Sequence, residues 1–263
     1  MIVVVVVQVV AAVVDATSFI TVSSASKEAL KTATLLKTLG VNALITGENG
    51  VGKKTLAQYI LPKAPILEAS NLDELLVTLN SVDEIVIVNL ENSPNIKKIF
   101  DIINSKNIRV IATARSSYSN DTVDNIFSIK FDIPPLEQRP EDVSALIDKF
   151  IKEASSLFSM HDDFNVENFT PDLSENSNSL RRQVMINYLL QDINDNELMD
   201  IIQNYLVDKL GSNSDYKNFL HLYEAPLIKA GLYKFKSQLQ LADKLGLNRN
   251  TLRKKIADNS DYL

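Results

Sequence analysis

The sequence has no cysteine, no tryptophan, two histidines, seven glycines and eight prolines among 263 residues. Without cysteine there are no disulfides, thiolate zinc sites, iron–sulfur clusters or cysteine nucleophiles. His161 and His221 alone make neither a histidine metal cluster nor a Ser-His-Asp site, which removes most hydrolase chemistry by inventory. His161 stands in an acidic run, His161-Asp162-Asp163, and reads as a surface residue, while His221 reads as core or interface. So few glycines and prolines exclude collagen-like and linker-dominated architectures. The one long hydrophobic run is Met1–Val14 (MIVVVVVQVVAAVV). It falls short of the roughly 20 residues that a membrane-spanning helix needs. A signal peptide wants a basic start, and the first lysine is Lys27. The valine richness favours a buried or edge strand, with an unnatural terminus as the alternative. The expectation is a cytoplasmic protein with no membrane partner.

What is present is enough for one large domain or two modest ones, with 45% apolar and 23% charged residues. A capped helix is expected from Ser26 to Leu39, ending at Gly40, then a strand over Val41–Thr46 and a helix over Lys53–Ile60. Glu84–Val88 (EIVIV) and Ile108–Thr113 (IRVIAT) read as further strands, with a helix over Ile96–Ile103 between them. Apolar strands without alternation, separated by helices, imply an α/β fold with a parallel sheet covered on both faces. After Pro134-Pro135 the strand signals stop. Glu141–Phe158 reads as one long amphipathic helix, residues 161–179 as a polar loop, and the rest as helical. Leu198, Ile201, Ile202, Tyr205, Leu206 and Leu210 form one helical stripe; Phe219, Leu222, Tyr223, Leu227 and Ala230 form a second, with Pro226 inside it.

Charge is unevenly spread. Residues 229–256 hold eight Lys or Arg and one acid, Asp243, on a chain whose net charge is −6. An acidic body with a basic tip is the footprint of a module that touches nucleic acid at one end, with a solvated helix face as the bland alternative.

Two constellations carry chemistry. Gly47-Glu48-Asn49-Gly50-Val51-Gly52-Lys53-Lys54-Thr55 follows a strand and opens a helix, with the spacing of a phosphate-binding loop. Backbone N–H groups and the helix N-terminus would face an anion, and Lys53 would add a point charge. Lys54 occupies the place of the magnesium-holding hydroxyl residue. The alternative is a structural glycine turn left after loss of nucleotide binding. The second constellation, Ala242 to Ile256, reads as a helix–turn–helix. Ala242 is small at the crossing, Gly246 makes the turn, Asn248 caps the second helix, and Leu252 and Ile256 face inward. Arg249, Asn250, Arg253 and Lys254 then project outward as a recognition helix requires.

GENGVGKKTLA resembles the GESGTGKE loop of the AAA+ domains of NtrC-type, sigma-54-dependent transcription activators. IPPLEQRPEDVSALIDKFI (133–151) is similar to that family's LPPLRER segment, and SNSLRRQV (177–184) to its lid sequence. NRNTLRKKI (248–256) resembles the end of the Fis protein, whose domain type closes such activators too. The resemblance implies an AAA+-like α/β subdomain over 1–133, a helical lid over 134–194 and a Fis-type dimerisation and DNA-binding domain over 195–263. It further implies ATP or ADP at Gly47–Lys54, with Arg181 as the lid's sensor arginine. On the DNA side it implies contacts from Asn248, Arg249, Thr251, Arg253 and Lys254, with Asn250 exposed beside them and Lys255 on a phosphate. Expected partners are double-stranded DNA, a second copy through helices at about 195–232, and RNA polymerase or another regulator at the bacterial nucleoid. With no receiver-type domain ahead of residue 25, the expected input is a ligand, a partner or abundance.

The departures are as informative. No GAFTGA sequence exists, and Asn89 follows Lys53 by only 36 residues. Asn89-Leu90 stands where the family has its acidic pair, with Glu91 one place late, and Ala114 replaces the sensor asparagine. Thr122–Phe131, where the family places arginine fingers, holds no arginine. Phosphoanhydride hydrolysis is mostly charge stabilisation, so the expectation is a transcription regulator without enzymatic activity, its AAA+ part a degenerate sensor or assembly platform, and no metal site. The rivals are a working AAA+ ATPase that remodels a protein or DNA complex, and a nucleoid-structuring protein.

Overall fold

The computed structural model describes residues 19–119, 121–158 and 169–263. The valine-rich start Met1–Val14 and His161 lie outside them. The chain divides into two compact units, with the boundary between Asp192 and Ile193.

The first unit opens with α1 (Ser24–Thr38), whose N-cap is Ser23, its side chain accepting from the Ser26 amide. Next come β1 (Ala43–Gly47), α2 (Lys53–Ile60), β2 (Ile66–Glu68), α3 (Leu72–Thr78) and β3 (Glu84–Val88). A 3-10 turn over Leu90–Asn92 leads to α4 (Ile96–Lys106), β4 (Arg109–Ala114), α5 (Asp121–Ile126) and β5 (Ile129–Ile133). The strands are all parallel, in the order β2-β3-β4-β1-β5. Because successive strand residues point to opposite faces, each apolar run feeds two cores. Leu44, Ile85, Ile87, Val110 and Ala112 pack with Leu75 of α3 and its C-cap Leu79, Ile99, Phe100 and Ile103 of α4, and Val123 and Phe127. Ala43, Ile45, Val86, Val88 and Ile111 pack with Ala29, Ala33 and Leu36 of α1 and Leu56, Ala57 and Ile60 of α2. The central strands β1, β3 and β4 carry no alternation because neither of their faces meets water.

Strand signals end at Ile133, as the sequence indicates. Beyond a 3-10 turn over Leu136–Gln138 lie α6 (Pro140–Phe158) and α7 (Ser177–Leu190). Pro140 fits the first helical position, where no N–H is needed. Val143, Leu146, Ile147 and Phe150 of α6 meet Leu180 and Val184 of α7 in a separate small core.

The second unit is helical. It comprises α8 (Asp195–Val207), α9 (Asp215–Phe219), α10 (His221–Phe235), α11 (Gln238–Lys244), α12 (Arg249–Asp258) and a final 3-10 turn, Ser260–Tyr262. Asn194 and Glu197 form a capping box that starts α8. Its core is Ile228, Leu241, Ala242 and Leu252, flanked by Leu232, Phe235, Leu245 and Ile256. Gly231 lets α11 close on α10, since a Cβ there would lie 2.3 Å from the Leu241 side chain. Pro226 stands inside α10, and His221 stacks on Tyr262 at 4.5 Å. Among the described residues, no helix is long and apolar enough to cross a membrane.

Candidate nucleotide site and candidate nucleic-acid interface

The loop from Gly47 to Gly52 joins the carboxyl end of β1 to α2, the crevice where open parallel sheets hold ligands. Gly50 has φ 79°, and a Cβ on it would lie 2.3 Å from the Glu175 carbonyl oxygen. Gly52, the N-cap of α2, has φ 105°, with the Phe19 ring 2.6 Å from where its Cβ would be. Only glycine meets both demands. Lys53 is buried, and its Nζ donates to the carbonyls of Gly47 at 2.6 Å and Glu48 at 2.8 Å. Glu48, Asn49 and Lys54 are exposed, whereas Val51 is buried.

The loop is stitched to the helical part of the unit. Asn176 Nδ2 donates to Glu48 Oε2 at 2.9 Å and to the Asn49 carbonyl at 3.0 Å. The Ser177 amide and hydroxyl both donate to the Gly50 carbonyl, at 3.2 and 2.5 Å. Arg139 donates to the Val51 carbonyl at 3.2 Å and pairs with Asp142 at 3.3 Å, both side chains at most 2% exposed. Asp142 in turn accepts from the amides of Val22 and Ser23 and from the hydroxyls of Ser23 and Ser26. Arg181 is engaged by Glu153 of α6 through two hydrogen bonds, and Arg182 pairs with Glu175.

Around Lys53 the other strand ends converge. Asp132, paired in register with Thr46, accepts from the hydroxyls of Thr46 and Ser116, each at 2.8 Å. After β3, Asn89 turns into the left-handed region at φ 55°, donating its amide to Thr113 Oγ1 and its side-chain nitrogen to Glu68. The 3-10 turn that follows buries Leu90 and brings Glu91 to Arg115, Oε1 to Nε 3.4 Å. Glu91 Oε2 is buried with no hydrogen-bond partner. Burial pushes the Lys53 ammonium below the usual lysine range; Glu91, Asp132 and Glu48 oppose that, and Arg115 adds to it. An orphaned carboxylate oxygen beside that lysine suits a magnesium ion or its water. Among the described residues no cluster of three or more acidic or histidine side chains could hold a metal unaided. A site with one carboxylate, completed by phosphates, is the usual magnesium arrangement.

In the second unit, Asn248 caps α12, its Oδ1 accepting from the Thr251 amide at 2.8 Å and hydroxyl at 2.9 Å. Asn248, Arg249, Asn250, Arg253 and Lys254 are exposed, and Thr251 is half-buried. Lys255, expected on a DNA phosphate, instead turns to Glu224 of α10 in a half-buried ion pair. Glu224 also accepts from Asn259.

Sequence reasoning missed Asp132, the Arg139–Asp142 pair and the Asn176–Ser177 clasp as parts of the site. A strand ending in Asp132 after Thr46-Gly47 is visible only once the register is known. The PPLEQRPED stretch was the one available signal for the pair.

A parallel sheet in this order, with a glycine loop after β1 and helices that clasp that loop, is a fold this chain shares with solved nucleotide-bound structures. The chain is similar to NtrX from Brucella abortus in complex with ATP, at TM-score 0.57 and 14% identity, over 92% of this chain and 69% of that one. The NtrX complex with ADP gives TM-score 0.56 and 15% identity, over 93% of this chain and 70% of that one. A RuvB mutant from Thermotoga maritima gives TM-score 0.45 and 16% identity, over 93% and 90% of the two chains. No protein-family model and no curated protein matches the sequence.

The expectation of a protein without enzymatic activity does not stand. The fold is shared with NtrX, which is captured with ATP and with ADP. After β3, Asn89 stands in the left-handed region, and Glu91, two residues on, lies against Arg115.

Proposed function

We propose that the chain is an ATP-dependent AAA+ regulator that binds DNA through its second unit. The loop amides of Gly47–Gly52 and the start of α2 hold the phosphates, Lys53 leaves its two carbonyls for the outer phosphates, and Glu91 faces them. Magnesium, held by Glu91 and the phosphates, would neutralise phosphate charge; Glu91 and Asp132 would orient the attacking water and accept its proton. Arg181, paired with Glu153, is the lid's cation nearest in role to a nucleotide sensor.

The helix–turn–helix reading of α11 and α12 rests on the capped, outward face of α12. Arg249, Asn250, Arg253 and Lys254 suit base edges and phosphates in a major groove, with Asn248 and Thr251 fixing the helix start. Lys255 orients α12 against α10 through Glu224. The second unit would act as a dimer, because α8 buries none of its residues and exposes Leu198, Met199, Ile201, Ile202, Tyr205 and Val207. An apolar face of that extent marks an interface; a second copy, related by two-fold symmetry, would present two α12 helices to one duplex.

The observation that carries the proposal is the coexistence in one chain of a built phosphate loop with an acid at its lysine and a capped helix with an unpaired basic face. The test is selection from a random DNA pool by the full chain, with and without ATP, alongside phosphate release. A selected palindrome and ATP turnover lost in Lys53→Ala would uphold it. Nucleotide-insensitive, sequence-blind binding without turnover would overturn it.

A further inference from the structure

Asp243 is the one acid in residues 229–256, among eight basic side chains. It is exposed in the last turn of α11, where the helix dipole disfavours a carboxylate. Aspartate is also a weak helix former. Its carbonyl closes the turn by accepting from the Gly246 amide at 3.1 Å, a bond that any residue supplies. Its side chain has no ion pair and no hydrogen bond among the described residues. The carboxylate thus runs against local preference, and no contact within the unit offsets that. Such breaches are expected where a residue is kept for a ligand. Leu239, four residues earlier and so on the same helix face, is exposed as well. Both line a concavity of about 820 Å³ that they share with Arg249, Asn250 and Lys254 of α12. Asp243 therefore belongs to the surface proposed above for a duplex, where every phosphate repels it.

A carboxylate on that surface gains nothing from the DNA backbone, which leaves the base edges. Ionised aspartate only accepts hydrogen bonds. In the major groove guanine offers two acceptors, thymine an acceptor and a methyl group, and adenine an acceptor next to its amine. Cytosine presents an amine donor with no acceptor of its own. We propose that Asp243 is a specificity residue for cytosine: it accepts from the N4 amine of one cytosine in the bound site, so that α11 as well as α12 reads sequence. This rests on the helix–turn–helix reading above. Arg249, in the same concavity, suits guanine O6 and N7 and supplies the positive charge that lets a carboxylate approach the duplex. On unrelated sequence the carboxylate meets phosphates and no amine, so it weakens binding there. One side chain thus favours the right site and disfavours the wrong ones.

The experiment is selection from a random duplex pool by the full chain, for the parent, Asp243→Ala and Asp243→Asn. Fluorescence anisotropy then gives Kd on the parent's selected duplex, on duplexes with one base pair replaced, and on random DNA. The parent should prefer cytosine at one position by about tenfold, and Asp243→Ala should reduce that to about twofold or less while the other positions keep their preferences. Random DNA should bind the alanine variant a few-fold more tightly. Asp243→Asn, whose amide both donates and accepts, should admit adenine at the same position. Thermal unfolding of Asp243→Ala should lie at or above that of the parent, because the carboxylate opposes the dipole of α11. A parent site without a preferred cytosine, an unchanged set of preferences in Asp243→Ala, one common factor on every duplex, or loss at all positions together with lower thermal stability would each overturn the assignment while DNA binding stands. A parent chain that selects no sequence removes the helix–turn–helix reading and this one together, and the parent selection alone reveals that case.

Discussion

The two units solve the burial problem in opposite ways. In the first, the central strands β1, β3 and β4 are clothed on both faces by helices, and even the charged pair Arg139–Asp142 is sealed inside. In the second, four residues form the buried apolar core around α10 to α12, and α8 buries none of its residues. Fully burying one Leu or Ile is worth about 1.5–3 kcal/mol, so α8 forgoes several such gains unless something covers it. The first unit buries its own apolar strands; the second leaves the apolar side chains of α8 without a buried position.

Breaking the first unit from within should have the largest effect. Asp142→Ala leaves Arg139 buried without its counter-charge and removes the acceptor of the Val22 and Ser23 amides; about 3–5 kcal/mol of unfolding free energy should be lost, read by urea denaturation. The same residue fixes an acid limb. Burial works against its charge, but the bonds from Ser23, Val22 and Ser26 outweigh that and hold its pKa below the usual carboxylate range. A depressed folded-state pKa gives stability that is full above about pH 4 and lost as pH falls through the folded value. Asp142→Asn should flatten that limb.

Gly50→Ala strains the loop where it touches the Glu175 carbonyl. A cost of about 1–3 kcal/mol is expected, with weaker ATP binding by calorimetry; unchanged values for both would mean that the clasp yields freely. For the second unit, Ile202→Lys places a charge in the exposed stripe of α8. Self-association should weaken at least tenfold, about 1.4 kcal/mol, with helix content unchanged, as sedimentation would show. A parent chain monomeric at high concentration would erase the contrast between the units. The smallest effect belongs to Asn248→Ala, which removes the cap of α12: about 1 kcal/mol in thermal unfolding of the second unit.

What the sequence made legible follows from how local each feature is. β1, β3 and β4 announce themselves as apolar runs bounded by turns, and the glycine loop is readable because each of its demands falls within nine residues. β2 is three residues long and β5 (IKFDI) lies at the sheet edge with alternating exposure; neither presents an uninterrupted apolar run, and both escaped notice. Glu91 was visible one place late in the sequence, but its contact with Arg115 from the next strand is not readable from spacing. The stripe on α8 was legible as apolar, but only the fold reveals that no part of it is buried. Lys255 looked like its basic neighbours Arg253 and Lys254; the carboxylate of Glu224, 31 residues away, sets it apart.

The clasp between Gly50 and Ser177 has a consequence for biosynthesis. The two residues are 127 apart in sequence, so a ribosome adding about 5–20 residues per second takes about 6–25 s to pass from one to the other. Throughout that interval the glycine loop is already made but lacks the backbone donors that fix its shape. A nascent chain therefore acquires the finished geometry of this loop only when α7 emerges, and under the proposed function a nucleotide could favour the folded form only from that moment. Truncations that end before residue 177 should accordingly gain no protection from ATP, even though they contain the whole glycine loop.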